Sequence, residues 1–568
     1  MEDDQKLTAL LYSPTDNFAF DFDSNEFPNM DITFQTLIDS KKITVNFKKD
    51  DQIKSVTISP KQEVTFSYLF SNDDSKNNQF PKSKYPADFF QNKHFTGKDI
   101  SETIVLDKDS AVSEVTGCTF SDFSKSLKTL FVVQTPVIFS DMEFDVGDTL
   151  FIELQGQTLE MRNCIMKHTG SATCAIQTTL DEPSHLLIEE CKFVQSSTSE
   201  ITFIRIQNPD SSLSVFNCSF SNDNNQPNSM FLFSVSENVT IDACTFDKAY
   251  GKSATQAIRI APTKKSGSFV FINNDVSNPT NRFIGLVSSY QQAIFANNTF
   301  HDFNRSKQYF MDVKLLNSHI NSFVFENNTY KNIVGGADFN GGIATWIQSD
   351  SPNAPINIYF INCKFINCQN TIPGQADAAF IIQGGAFQHG YSNTIKYAHL
   401  SFSFCEFSDN SVLGSGGALA FELDGNLTIM DCSFTSNKAK PSTSSDCLSN
   451  GGAIFLSEKF DPQKPIRSPN KEVIISNCNF VCNEGNQGSA IYYQTDPSNP
   501  DKTIHFIIES STFQNNGKIG QSQIMSYAPE FTFFHNTMEY NSTSEIISGG
   551  DFAISLPTAK GINISYCS

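Results

Sequence analysis

The octapeptide VTIDACTF (239–246) returns along most of this 568-residue chain in near copies: LLIEECKF ending at Phe193, IYFINCKF ending at Phe365 and VIISNCNF ending at Phe480. Two apolar residues stand one apart, two mostly polar residues follow, then a Cys, a variable residue and an aromatic. With that Cys as position zero, the element recurs at 118, 142, 164, 191, 218, 244, 274, 298, 328, 363, 405, 432, 478, 511, 536 and 567. Ten of the sixteen are Cys, four are Asn (Asn274, Asn298, Asn328, Asn536), and Met142 and Ser511 complete the set. The residue three before is apolar in all sixteen, from Val115 to Ile564, and the residue two after is Phe in eleven of fifteen. Self-similarity of this period restricts the chain to a stacked-repeat architecture.

Successive copies lie 22 to 46 residues apart, so a fixed structural turn carries loops of variable length. Apolar residues at −5, −3 and +2 with polar residues between read as a short strand, a tight bend and another short strand. No segment keeps a helical period for three turns, and ankyrin, tetratricopeptide and leucine-rich repeats fail on period or pattern. The expected fold is all-β: a right-handed parallel β-helix of about sixteen coils, a rod on the order of 75 Å long if coils stack as strands do. Position zero is then an inward bend site where Cys acts as a compact hydrophobe and Asn bonds to the coils on either side. The Phe at +2 fill the interior, each burial contributing roughly 1.5–3 kcal/mol.

From about 360 to 495 a second signature joins the first. GGAF (384–387), GGAL (416–419), GGAI (451–454) and GSAI (488–491) follow the tetrads FINC (365–368), FSDN (407–410), FTSN (434–437) and FVCN (480–483). Gly-Gly permits positive φ and close approach between coils, and the FxxN Asn is expected to begin a turn. These paired GGA[ILV] and FxxN repeats resemble those of the polymorphic outer-membrane proteins of chlamydiae and their relatives in parasitic protists, and the fold is broadly pectin-lyase-like. The resemblance implies a surface-exposed passenger implicated in adhesion, at the cell surface or outside the cell. FINC lacks the Asn, GSAI lacks one Gly, and residues 118–330 carry coils without the GGA element.

Residues 1–110 lie outside the repeat and read as an N-terminal cap or small β subdomain, with ITVNFKKDDQIKSVTI (43–58) as two strands joined by a charged turn; residues 111–568 are the β-helix. The start of this chain has no signal peptide, and no apolar run is long enough for a transmembrane segment, so no membrane insertion by this chain is expected. A balance of −21 with 40 Lys+Arg argues against nucleic acid as a partner. The fourteen Cys read mainly as reduced core packing, with scattered disulfides as the alternative; Cys174, Cys368, Cys447 and Cys482 fall outside position zero, and a Cys447–Cys482 bridge is conceivable. A line of thiols cannot wrap a tetrahedral metal, so no metal and no cofactor are expected.

No catalytic set is recognisable. QHG (388–390) and RIQ (205–207) are the nearest strings to polygalacturonase motifs, without the carboxylates that accompany them. His168, His185 and His389 stand out among the histidines and read as solvated loop side chains. Sequons occur at Asn217, Asn238, Asn297, Asn304, Asn327, Asn426, Asn541 and Asn563, sites for a glycoprotein if the chain is secreted. The expected function is a non-catalytic interaction protein binding a protein or carbohydrate partner at its loops or faces, with 335–355, 370–398 and 440–470 as the loops of first interest. The alternative is a carbohydrate-active enzyme of the pectin-lyase-like fold.

Overall fold

The computed structural model describes residues 89–568 apart from loop segments, the longest being 385–397, 458–469 and 540–553, together with the backbone of six strands between residues 5 and 66; for some strands, such as 343–349, it describes the backbone alone. Two units result, Met1–Phe90 with Leu106–Glu114, and Gln91–Val105 with Val115–Ser568. In the first, Gln5–Leu11, Met30–Thr36 and Glu63–Phe66 form one three-stranded sheet and Phe18–Asp23, Ile43–Lys49 and Gln52–Ile58 another. Ile43–Lys49 and Gln52–Ile58 pair antiparallel, as their sequence suggests.

The repeat builds a parallel β-solenoid of three sixteen-stranded sheets. Sheet I holds the strands that end just before position zero, from Glu114–Thr116 to Gly561–Ser565. Sheet II holds those that follow it, from His94–Thr96 to Thr537–Glu539, and sheet III the remaining strand of each coil, from Ile104–Leu106 to Ile554–Ser555. The first strands of the three sheets are thus Glu114–Thr116, His94–Thr96 and Ile104–Leu106. The repeat is illegible at His94–Thr96 because position zero of that coil is the exposed Lys93 rather than a buried Cys or Asn. A fourth, narrow sheet of five strands runs from Asn304–Ser306 to Lys438–Lys440.

One corner fixes the register. The residue before position zero is left-handed in every coil from Gly117 (φ 63°) to His535 (φ 54°). Asn, Asp and Gly fill most of these corners because they tolerate that conformation at least cost. The kink turns position zero inward: all sixteen residues are at most 2% exposed except Cys567. Cys164, Cys191, Cys218 and Cys244 stack directly: the backbone N–H of each of the first three reaches the sulfur of the next coil at 3.3–3.4 Å, that of Cys244 donates to Asn274 Oδ1 (2.8 Å), and each thiol donates to a carbonyl. The Asn continue the column. Asn298 Nδ2 donates to Phe271 O (2.9 Å) and to Asn328 Oδ1 (2.9 Å), and Asn274 does the same one coil earlier. In this run the amides of Asn274, Asn298 and Asn328 are all engaged, as a low-dielectric interior demands.

Two residues on, the phenyl column stacks at the coil rise. Phe365, Phe407, Phe434, Phe480 and Phe513 follow one another at 4.7–4.8 Å with planes within 4°. A second ring column, Phe295, Phe325, Phe360 and Phe402, stands opposite from sheet I at 4.6–5.0 Å.

The GGA turns behave as their glycines dictate. Gly416, Gly451 and Gly488 take φ of 80°, 65° and 54°. A Cβ on Gly452 would lie 2.1 Å from Ser489 O and 2.6 Å from Glu484 C, so neighbouring coils meet there backbone to backbone. GGAF at 384–387 lies mostly outside the described residues. The FxxN Asn does something other than begin a turn. Asn410, Asn437, Asn483 and Asn516 are 0% exposed and form a second internal ladder, Oδ1 of each accepting from the backbone and side chain of the one before at 2.8–3.3 Å. The turn belongs to the residue ahead of each (Asp409, Ser436, Cys482, Asn515), which is left-handed. Cys368, the departure in FINC, fits because its N–H still donates to Asn410 Oδ1 (2.9 Å) while its thiol replaces the amide.

Candidate functional site: the outer faces of the coils

With most of the interior filled by hydrogen-bonded ladders and stacked rings, the outward strand faces and loops are the places to look for a site. The loops of first interest lie largely outside the described residues, as do His389 and Cys447. His185 is exposed on the outer face of sheet I, its Nδ1 2.8 Å from Ser212 Oγ. His168 corrects the solvated reading. It ends the strand Ile165–His168 fully buried, Nδ1 3.0 Å from Gln195 Oε1, and burial holds its pKa below the usual value. In that part of the rod the fourth residue after position zero turns inward, and His168, Gln195 and Asn222 share a buried polar column. Cys482 is an exposed free thiol at a left-handed corner, and among the described cysteines none is bridged. Burial pushes the thiols of Cys174 and Cys368 up to about 12, which makes them inert.

One acid–base cluster escaped sequence reading. On sheet II, His301 Nε2 lies 3.1 Å from Asp275 Oδ1 and Nδ1 lies 2.8 Å from Asp302 Oδ2. The hydrogen bonds from His301 and Asn332 hold Asp302 below the usual carboxylate range. With both ring nitrogens taken by carboxylates of adjacent coils, the imidazole has none left to accept a proton from a bound molecule. The cluster clamps coils. Among the described residues, no group of three His, Cys, Asp or Glu is placed to hold a metal, and no helix is long and apolar enough to cross a membrane.

The outward sequence column before position zero holds one anomaly. From Asn273 to Asn362 it is a second, solvent-facing ladder: Asn297 Nδ2 donates to Asn273 Oδ1 (3.0 Å), Asn327 to Asn297 (3.0 Å) and Asn362 to Asn327 (2.7 Å). The next corner is Phe404, left-handed at φ 58° and 62% exposed. A bulky residue in that conformation costs roughly 1–2 kcal/mol. On the following coil of sheet I, Met430 (38% exposed) is in register with Ser403, next to Phe404, and on the preceding coil Tyr359 (37%) is in register with Ser401. Three of the seven exposed large apolar residues among those described thus fall on three consecutive coils of this face. Sequence scoring passed over Phe404 because the repeat is written by its buried columns, and this corner looks outward.

Sequons Asn217, Asn297 and Asn327 all fall on these outward corners. Their Thr or Ser is the first exposed strand residue of sheet II, so the triplet arises from the coil's own pattern. Comparison with protein-family models and with curated proteins finds no match for this chain.

Proposed function

We propose that this chain is a non-catalytic, adhesin-like interaction protein of the cell surface or exterior, whose solenoid presents fixed contacts to a protein or carbohydrate partner. The carrying observation is Phe404: an exposed aromatic kept in an unfavourable backbone conformation, with exposed Met430 and Tyr359 on the adjoining coils, where the corners on either side are Asn362 and Asp431. Strain retained at an exposed aromatic is characteristic of a contact site, and aromatic anchors dominate interface energetics. The GGA and FxxN coils, similar to those of the polymorphic outer-membrane proteins, support the same reading. N-linked glycans belong to it too, first at Asn217, an exposed corner whose carboxamide has no hydrogen-bond partner among the described residues.

The test uses labelled protein titrated onto intact cells and onto a glycan array. Phe404→Asn is expected to weaken saturable binding at least tenfold. The same change should raise stability by about 1 kcal/mol, since Asn tolerates the left-handed corner, with the thermal midpoint as readout. Unchanged binding by the variant, or turnover of any polysaccharide in a reducing-end and unsaturated-product assay that is abolished by one carboxylate substitution, overturns the proposal in favour of a pectin-lyase-like enzyme.

A further inference from the structure

Sheet III carries a column whose members are paired in register coil to coil: Glu153 with Gln177, Gln177 with Arg205, Arg205 with Phe233, Phe233 with Arg259, Arg259 with Gly285 and Gly285 with Asp312. Charge falls on every second coil and is symmetric about Phe233: acid, neutral, Arg, Phe, Arg, neutral, acid. Arg205, Phe233 and Arg259 are half-buried, and the Arg259 guanidinium sits 5.9 Å from the Phe233 ring centroid, which holds it in place.

The two arginines differ from three other strand cations. Arg162 meets Glu160 and Glu189, Lys364 meets Glu406 (3.5 Å) and Lys438 meets Glu484 (3.0 Å). Among the described residues neither Arg205 nor Arg259 has a carboxylate partner, in a chain with 61 acidic residues against 40 basic ones. A guanidinium is built for bidentate carboxylate recognition, and two half-buried ones without counter-ions make an anion site.

Spacing selects the ligand. Charges two coils apart are separated by about 9.6 Å. An extended β-strand repeats on one face at about 6.7 Å or 13 Å, which matches neither. A polyproline II segment brings residues i and i+3 to one face at about 9.3 Å. We infer that this column binds an acidic polyproline II segment of a protein partner, with carboxylates three residues apart on Arg205 and Arg259 and an apolar residue over Phe233. Glu153, two coils before Arg205, extends the complement to a basic residue three positions outside the carboxylate on Arg205. From Glu153 to Arg259 four coil steps span about 19 Å, and six polyproline II residues about 19 Å. Such a segment needs no hydrogen bonds from the sheet, whose backbone is already paired.

The inference rests on the reading of this chain as an interaction protein and names a second contact, on a different face from Phe404. The probe is the labelled peptide Lys-Pro-Pro-Glu-Pro-Pro-Glu-Pro-Pro-Lys, titrated at low salt by fluorescence anisotropy. One control has the same composition with the glutamates adjacent, and another replaces both by glutamine. The designed peptide is expected to bind at least tenfold more tightly than either control. Arg205→Gln and Arg259→Gln should each weaken it tenfold or more with unchanged circular dichroism melts, Arg205→Lys less, and Phe404→Asn not at all. Equal affinity for the rearranged peptide, indifference to both arginine substitutions, or no peptide binding overturns the inference. So does tighter, arginine-dependent binding of heparin, which would assign the column to a sulfated glycan. Any of these with Phe404-dependent cell binding intact removes this site and leaves the broader function standing.

Discussion

At the scale of single residues, the coil separates two kinds of constraint. Buried columns demand size and hydrogen bonding, so Cys118, Asn298 or Phe434 can be placed from sequence alone. Outward corners demand only a tolerable left-handed backbone, so Asn297, Glu190 and Phe404 all occur and nothing in the pattern singles out the functional one. His168 shows a third case. Its burial depends on where the bend after sheet II falls, which varies between coils and leaves no sequence mark. Desolvation holds its pKa below the 6.5 of a free side chain, so the native imidazole stays neutral while the unfolded chain takes up a proton. Stability is therefore full above that value and falls as pH drops through it, by at most about 1.4 kcal/mol per pH unit. His168→Gln keeps a donor for Gln195 and removes the titration. Urea midpoints of the variant should lose less than those of the parent between pH 7 and 5, and parallel profiles would show that His168 is not the titrating group.

At the scale of elements, the GGA turn is where coils come closest. The conformational role of its glycines follows from their sequence alone, because positive φ and missing side chains have few other uses. The paired FxxN ladder did not, since an Asn after a strand suggests a turn; only stacking reveals that Asn437 and Asn483 are 0% exposed. Gly452→Ala would push a methyl group against the Ser489 carbonyl, backbone that cannot rotate away. The expected cost is about 1–3 kcal/mol, with limited proteolysis showing new cleavage confined to the coils on either side of Gly452. Cleavage unchanged from the parent would mean that the coils separate without penalty. Ser489 stands where a second Gly would be expected, and its N–H donates to Ser522 O (2.8 Å), so a side chain is accommodated above a coil that lacks the GGA turn.

At the scale of the whole solenoid, each coil contacts only its neighbours, and stability sums over coils and the interfaces between them. Eleven buried free thiols are spread from Cys118 to Cys478 and report on this directly. In native protein, mass-mapped alkylation among the described cysteines should mark Cys482 and Cys567. With rising denaturant the buried thiols should become reactive at more than one concentration; their release in a single step would show one cooperative unit instead. The same modularity explains what sequence could and could not convey. It conveyed sixteen coils and their order because every copy repeats the buried columns, yet the Arg205–Phe233–Arg259 pattern emerges only when residues 28 and 26 apart in the chain are seen side by side. Position zero recurs after as few as 22 and as many as 46 residues, yet every strand meets its counterpart in register. The rod is thus a ruler graduated in coils: a loop can lengthen, shorten or change its chemistry without moving any mark on the scale, and contacts chosen at one pair of graduations keep their separation whatever is inserted between them.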